Sequence, residues 1–240
     1  MPNDGMQCLQ AYAERGSEEA FRRLVERYTD LVFSVALRCA GVEYALAQDV
    51  TKTVFADLAC KASSLPRKVV LGGWLHQHTC YVASHLIGTE VRRRLREQTA
   101  AEMNELNRDT ADTWRWVAPV LDDALNRLPA VDRDAVVLRF FENHDLKAVG
   151  AALGVSEDAP QKRVSRALEK LRAMLVRRGA ALSLLATGLG SLLALQAVGA
   201  APTSLAANAA GAAPASASRV ASAAEVDEER RHLLRLMARR

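Results

Sequence analysis

Aromatic side chains are scarce, 5% of 240 residues, and without them the chain lacks the usual material of a β-sandwich or barrel. Cysteine is equally thin. Cys8, Cys39, Cys60 and Cys80 lie at least 20 residues apart and never form a CxxC pair, so neither a disulfide framework nor a structural zinc site is indicated. His76 and Cys80 would share one face of a helix while His78 points away, so a three-ligand metal site would require unwinding. No phosphate loop, nucleophile elbow or pair of metal carboxylates is present, which argues against an enzyme. No cofactor and no metal are expected. The first residues, MPNDGMQCLQAYAERG, have no basic lead followed by an apolar stretch, so no secretory signal is read and a reducing cytoplasm is the expected setting. The excess of positive charge is small, +4 with a pI near 9.0, and cannot by itself name an anionic partner.

What is present is helix-forming. Half the residues are apolar and 25% are charged, in the alanine, leucine and arginine usage of helices, and the length suits one large or two small domains. The expected fold is all-α. A first block, residues 1–96, shows helical apolar periods from Glu18 to Glu97, broken near Gly41, at Ser63 to Pro66 and at Gly72-Gly73. Phe21, Leu24, Val25, Tyr28, Leu31, Val32, Val35 and Ala36 step by three and four along its first long helix. Residues 97–116 are polar and poorly periodic, a linker or loosely attached helix. A second block, residues 117–178, should hold four short helices, with Leu121, Leu125 and Leu128 closing at Pro129 and Val136, Val137, Phe140 and Phe141 forming the next apolar face.

Beyond Arg178 the composition changes. Residues 180–201 are 22 in a row without charge, enough to cross a bilayer core, with Arg177-Arg178 holding the preceding side in the cytoplasm. The expectation is a membrane-spanning helix within 179–202; the alternative is an alanine-rich helix packed on the protein itself or on a partner. Residues 203–240 read as a mostly disordered tail with a short charged helix at Glu225 to Arg240.

The strongest local signal runs from Asp145 to Leu175. Leu146, Val149 and Leu153 give a short helix one face, Gly154 supplies a turn, and Ser156 is placed to cap a second helix. In that helix Val164, Ala167, Leu168, Leu171 and Leu175 fall on one side. Lys162, Arg166 and Glu169 fall nearly opposite, flanked by Asp158, Arg163, Ser165 and Lys170. A groove-reading helix needs this division, since cationic groups must face phosphates and base edges while the inner side is held by a core. The alternative is an ordinary amphipathic helix with a solvated charged face. Pro160 sits one turn inside the expected start and should adjust that turn.

Taken in order, five segments resemble the extracytoplasmic-function group of bacterial RNA polymerase sigma factors: Ala20 to Gly41, Ala47 to Pro66, Gly72 to Glu97, Leu121 to Asn143, and the helix-turn-helix. The resemblance covers about residues 17–178 and implies a non-enzymatic protein that binds core polymerase, directs it to promoter DNA and helps open the duplex. It assigns the helix of Ala47 to Phe55 to the polymerase clamp, with Asp49, Lys52, Thr53 and Phe55 as the contact candidates. It assigns the helix beginning at Gly72-Gly73 to the minus-ten element, with Gln77, His78, Tyr81, His85, Arg92, Arg93 and Arg94 as candidates. Unstacked bases need flat or polar partners, and arginines can hold the backbone. For the arginines the alternative is a solvated helix end; for Trp74, core packing is expected. The upstream duplex would meet Asp158, Gln161, Lys162, Arg163 and Arg166. An anti-sigma protein is the family's usual further partner. The competing function is a membrane-anchored helix-turn-helix regulator that never touches polymerase.

Overall fold

A computed structural model describes residues 4–41, 43–86, 110–155, 159–177, 188–196 and 198–217, and within them every regular element is a helix. The first block consists of α1 (Asp4–Arg15), α2 (Glu18–Cys39), α3 (Tyr44–Lys61) and α4 (Leu71–Leu86). α2 starts where the Ser17 hydroxyl accepts from Ala20 N at 3.3 Å, with Glu18 and Glu19 in the first turn to complement the helix dipole. The predicted apolar face is the one buried: Phe21, Leu24, Val25, Leu31, Val32, Val35 and Ala36 are each 3% exposed or less.

The second block holds α5 (Thr110–Asn126), α6 (Ala130–Val136) continued by a π segment (Val137–Phe141), α7 (Leu146–Leu153) and α8 (Ala159–Val176). α5 begins inside the stretch that looked like linker, and Val117, Leu121 and Leu125 are fully buried along it. Pro129 ends one helix and starts the next, as the leucine spacing suggested. The blocks share one hydrophobic core and also meet through polar groups. Tyr28 in α2 donates to Glu142 at 3.3 Å, and burial followed by the nearby Glu142 charge raises the Tyr28 phenol. At Gly72 and Gly73 the two blocks approach closely: a Cβ at either would run into the carboxyl group of Glu142 or Asp134. Those glycines open α4, as expected, but their reason is this close approach.

The C-terminal region departs from the sequence expectation. No helix among the described residues is long and apolar enough to cross a membrane. The described part of 180–201 is α9 (Leu189–Gln196), followed by a non-helical crossing, so the uncharged run is not one continuous span. Leu189, Leu192 and Leu193 are 5% exposed or less and pack on α5, α8 and the π segment, so they fill the protein's own core. Hydropathy alone does not distinguish these two uses of leucine. Residues 203–217, whose composition suggested irregular chain, form α10 (Thr203–Ala217), which packs on α3 and α2. Alanine is the best helix former, and here packing supplies what an isolated segment would lack. Residues 225–240 lie outside the described residues.

Candidate functional site

The two ends of α7 are built as the sequence indicated. The Asp145 carboxylate accepts from Ala148 N at 2.7 Å and caps α7, and Gly154 ends it in the left-handed conformation at φ 64°. Pro160 lies in the first turn of α8, where an N–H has no helical partner to lose, and its ring packs on Gly150 of α7. A Cβ at Gly150 would come within 2.8 Å of that ring, so the glycine sets the close crossing of the two helices. Ser156 and Asp158 lie outside the described residues.

Along α8, Val164, Ala167, Leu171 and Leu175 are buried, while Gln161, Lys162, Ser165, Arg166 and Glu169 are exposed and line one shallow, open depression. Lys162 and Arg166 make no ion pair among the described residues. Arg163 and Lys170 differ: both reach the first turn of α6, at 3.4 and 2.7 Å from the two oxygens of Asp132. Asp132 is itself only 7% exposed, so these two cations orient α8 on α6 and leave the outer face to the others. A surface of this shape, cationic and bare on a rigid helix, is suited to phosphates and base edges.

α4 presents a different picture. Trp74 is 9% exposed, which is the core packing expected of it, and it begins a row of rings. Its indole stacks on His78 at 4.6 Å, His78 lies 5.9 Å from Tyr81, and Tyr81 lies 4.4 Å from His85. His78 is 7% exposed and its Nε2 bonds the Asp57 carboxylate of α3 at 2.8 Å. Of this group, Gln77 and Tyr81 are half-buried and His85 is exposed. Arg92, Arg93 and Arg94 lie outside the described residues.

On α3, Asp49 is exposed and pairs with Lys52 at 3.2 Å, and the Thr53 hydroxyl donates to the Asp49 carbonyl at 2.8 Å. Phe55 is fully buried and supports the helix from inside. Asp49, Lys52 and Thr53 therefore share one outward side of α3, away from Val50, Val54 and Leu58 in the core.

A group that sequence reasoning missed lies between the blocks. Arg38 of α2 grips Asp122 of α5 with a two-pronged bond, Nε to Oδ2 at 2.7 Å and NH2 to Oδ1 at 2.9 Å, and both side chains are 7% exposed. His76 of α4 adds a bond from Nε2 to Asp122 Oδ1 at 3.0 Å. Burial alone would raise the Asp122 carboxyl; the Arg38 charge and the His76 hydrogen bond outweigh it and hold the group down at about 2. Burial lowers His76 despite its bond to Asp122, so the ring is neutral. An ionised carboxylate can only accept, which puts the His76 proton on Nε2 and leaves the buried Nδ1 bare. Cys80 brings its sulfur within 4.8 Å of the His76 and Asp122 donor atoms, and its thiol is raised well above the ordinary value by a hydrogen bond with Cys39 and by burial. Three metal donors thus meet, but both Asp122 oxygens are already engaged and a guanidinium stands beside them. The arrangement serves as an ion-paired latch. The one sequence signal was Arg38, seven residues after Leu31 and so in line with the apolar stripe of α2; Asp122 gave none.

Comparison with known proteins points the same way. A family model described as "Sigma-70, region 4" matches residues 120–171, from α5 into α8. The chain is also 26% identical over 181 residues to the "ECF RNA polymerase sigma factor SigE" of Mycolicibacterium smegmatis, a match covering 72% of this chain and 68% of that protein.

Proposed function

We propose, from the premise that this chain is an RNA polymerase sigma factor of the extracytoplasmic-function group, that its three outward surfaces divide the work of initiation. α8 meets the upstream duplex through Gln161, Lys162 and Arg166, with Asp158 at its start and Arg163 steering it. Gln77, Tyr81 and His85 of α4, together with Arg92, Arg93 and Arg94 later in the sequence, take unpaired bases of the minus-ten element, while His78 fixes α4 on α3. Asp49, Lys52 and Thr53, backed by Phe55, dock core polymerase. Partners are then core polymerase and promoter DNA, met in the cytoplasm.

The observation that carries this reading is the bare cationic face of α8, seated on α7 where Pro160 meets Gly150, inside the matched segment. A repressor needs that much and no more; the first block, with its separate outward side of exposed Asp49 and half-buried Lys52 and Thr53, is what a polymerase partner requires. The test is co-elution with core polymerase at low salt and run-off transcription from a cognate promoter. Failure to bind core, or upstream protection with no strand opening, would favour a simple DNA-binding regulator. Isolated DNA binding through some 6–10 phosphates should weaken about 10³–10⁵-fold between roughly 50 and 200 mM salt.

A further inference from the structure

Six consecutive residues of α2, Leu31 to Ala36, are buried, and a helix cannot bury six in a row against a single neighbour. Leu31, Val32, Val35 and Ala36 belong to the face that packs inside the first block. Phe33 and Ser34 belong with Asp30 and Leu37 to the other side of the helix, yet Phe33 is 2% and Ser34 is 7% exposed. The chain's own C-terminal segment lies against this side. The Ser34 hydroxyl donates to the Gly199 carbonyl at 3.0 Å and accepts from Gly199 N at 2.8 Å, and the Asp30 carboxylate accepts from Ala201 N at 2.8 Å. α10 then packs along α3 and α2 with Leu205 2% and Ala209 0% exposed and Ala206 and Ala210 half-buried beside them. Small side chains let the helices approach closely, and no charged residue occurs from Gly179 to Ser218, so the segment can leave or return without burying a charge.

We propose that the outer side of α2 and α3 is a helix-docking surface, that residues 199–210 occupy it in the free protein, and that core RNA polymerase competes with them for it. The proposal rests on α3 being the polymerase-docking helix. Asp49, Lys52 and Thr53 stay accessible on the helix along which α10 runs, with Phe55 beneath them, so a polymerase seated on that side of α3 would meet the strap alongside it. The strap's attachment is suited to release, since it consists of three hydrogen bonds from two side chains of α2 and a row of leucine and alanine contacts. α9 stays seated on the second block by its own leucines, so release of 199–210 leaves the segment anchored and able to return.

The experiment moves the strap in both directions in the full-length protein and titrates each variant with core polymerase. Leu205→Asp and Ala209→Asp place a charge in the contact. If the closed state outweighs the open one by about ten to one, opening it raises apparent polymerase affinity about tenfold. Amide exchange should rise along 31–36 of α2 while 71–83 of α4 stays protected. Ser34→Cys with Gly199→Cys, closed by oxidation, should weaken polymerase binding at least tenfold, with recovery on reduction and no effect of oxidant on Ser34→Cys alone. The lock decides the matter if an aspartate variant loses the α4 protection and so proves unfolded. Polymerase binding by the wild type that responds neither to release, verified by exchange, nor to the lock overturns the strap and leaves the docking reading standing. No binding by the wild type or by the released variants overturns the docking reading, and the strap proposal with it.

Discussion

α4 and α8 carry most of the candidate nucleic-acid contacts and use their polar side chains in opposite ways. On α4 the polar groups are spent inside: His76 on Asp122 of α5, His78 on Asp57 of α3, and Thr79 on the carbonyl of Leu75 one turn back. On α8 they are spent outside, since Gln161, Lys162, Ser165, Arg166 and Glu169 face solvent and only Arg163 and Lys170 at the edges reach an internal carboxylate. The sequences already differ, since α4 carries no Asp, Glu, Lys or Arg and α8 carries six. What the structure adds is that carboxylates of neighbouring helices wait for His76 and His78, and none among the described residues for Lys162 and Arg166. Substitution of His76, His78 or Thr79 should therefore register as stability, and substitution of Lys162 or Arg166 as DNA affinity with folding intact.

The largest expected effect is on the buried partner of α4. Asp122→Ala leaves the Arg38 guanidinium inside the protein without its carboxylate, which costs about 3–5 kcal/mol. Urea unfolding measures it, and a loss under about 1 kcal/mol would mean that water reaches the pair and that the latch is not sealed. Replacing both partners, Arg38→Met with Asp122→Leu, should recover most of that loss, because the penalty belongs to the stranded charge. On α8, Lys162→Ala or Arg166→Ala should cost on the order of 1–3 kcal/mol of promoter binding where a base edge is read, and flatten the salt slope where only phosphate is touched. Stability should move by no more than about 0.5 kcal/mol in either variant. Unchanged DNA binding in both would take α8 out of the interface.

Acid should distinguish the helices again, with a smaller effect. His76 is held neutral in the folded protein, its ordinary value being 6.5, so below that value the unfolded chain takes up a proton that the folded one does not. The unfolded state then binds more protons, and stability falls as pH falls, by at most about 1.4 kcal/mol per unit from this one group. Asp122 adds nothing there, since its contribution is full above its ordinary 3.8 and disappears only as pH drops toward about 2. Urea midpoints at pH 7.5, 6.5 and 5.5 should decline in the wild type and decline less in His76→Gln, whose amide can still donate to Asp122. Equal slopes would assign the pH response to another group.

The helix-turn-helix was legible because it rests on local rules: a capping Asp145, a glycine at φ 64° and a face division that repeats within 18 residues. The latch was not, since Arg38 and Asp122 are 84 residues apart and each looks on its own like a solvated charge. Gly72-Gly73 were legible as the start of α4, but not the reason for two glycines, which is the approach of Glu142 and Asp134 from the other block. The uncharged C-terminal run misled because a length test asks only whether a helix could span, and Gly188, Gly199 and Pro202 lie where the helices stop or start. Of its leucines, 189, 192 and 193 are buried and Leu195 is exposed, a division that fits one side of a short helix against a core.

The smallest effect concerns the one acid on the α8 face. Glu169 is exposed in the same depression as Lys162 and Arg166, one turn beyond Arg166, where its carboxylate would stand near DNA phosphates. If it does no more than repel them, Glu169→Gln should tighten promoter binding by a few tenths of a kcal/mol, visible by fluorescence anisotropy near 50 mM salt and fading near 200 mM as screening shortens its reach. An opposite sign would be the more informative result. Weaker binding by Glu169→Gln, confined to promoters with a particular base pair, would mean that the carboxylate accepts from a cytosine amine in the major groove. The acid would then belong to the reading surface, and α8 would lie deeper in the groove than a helix held by phosphates alone.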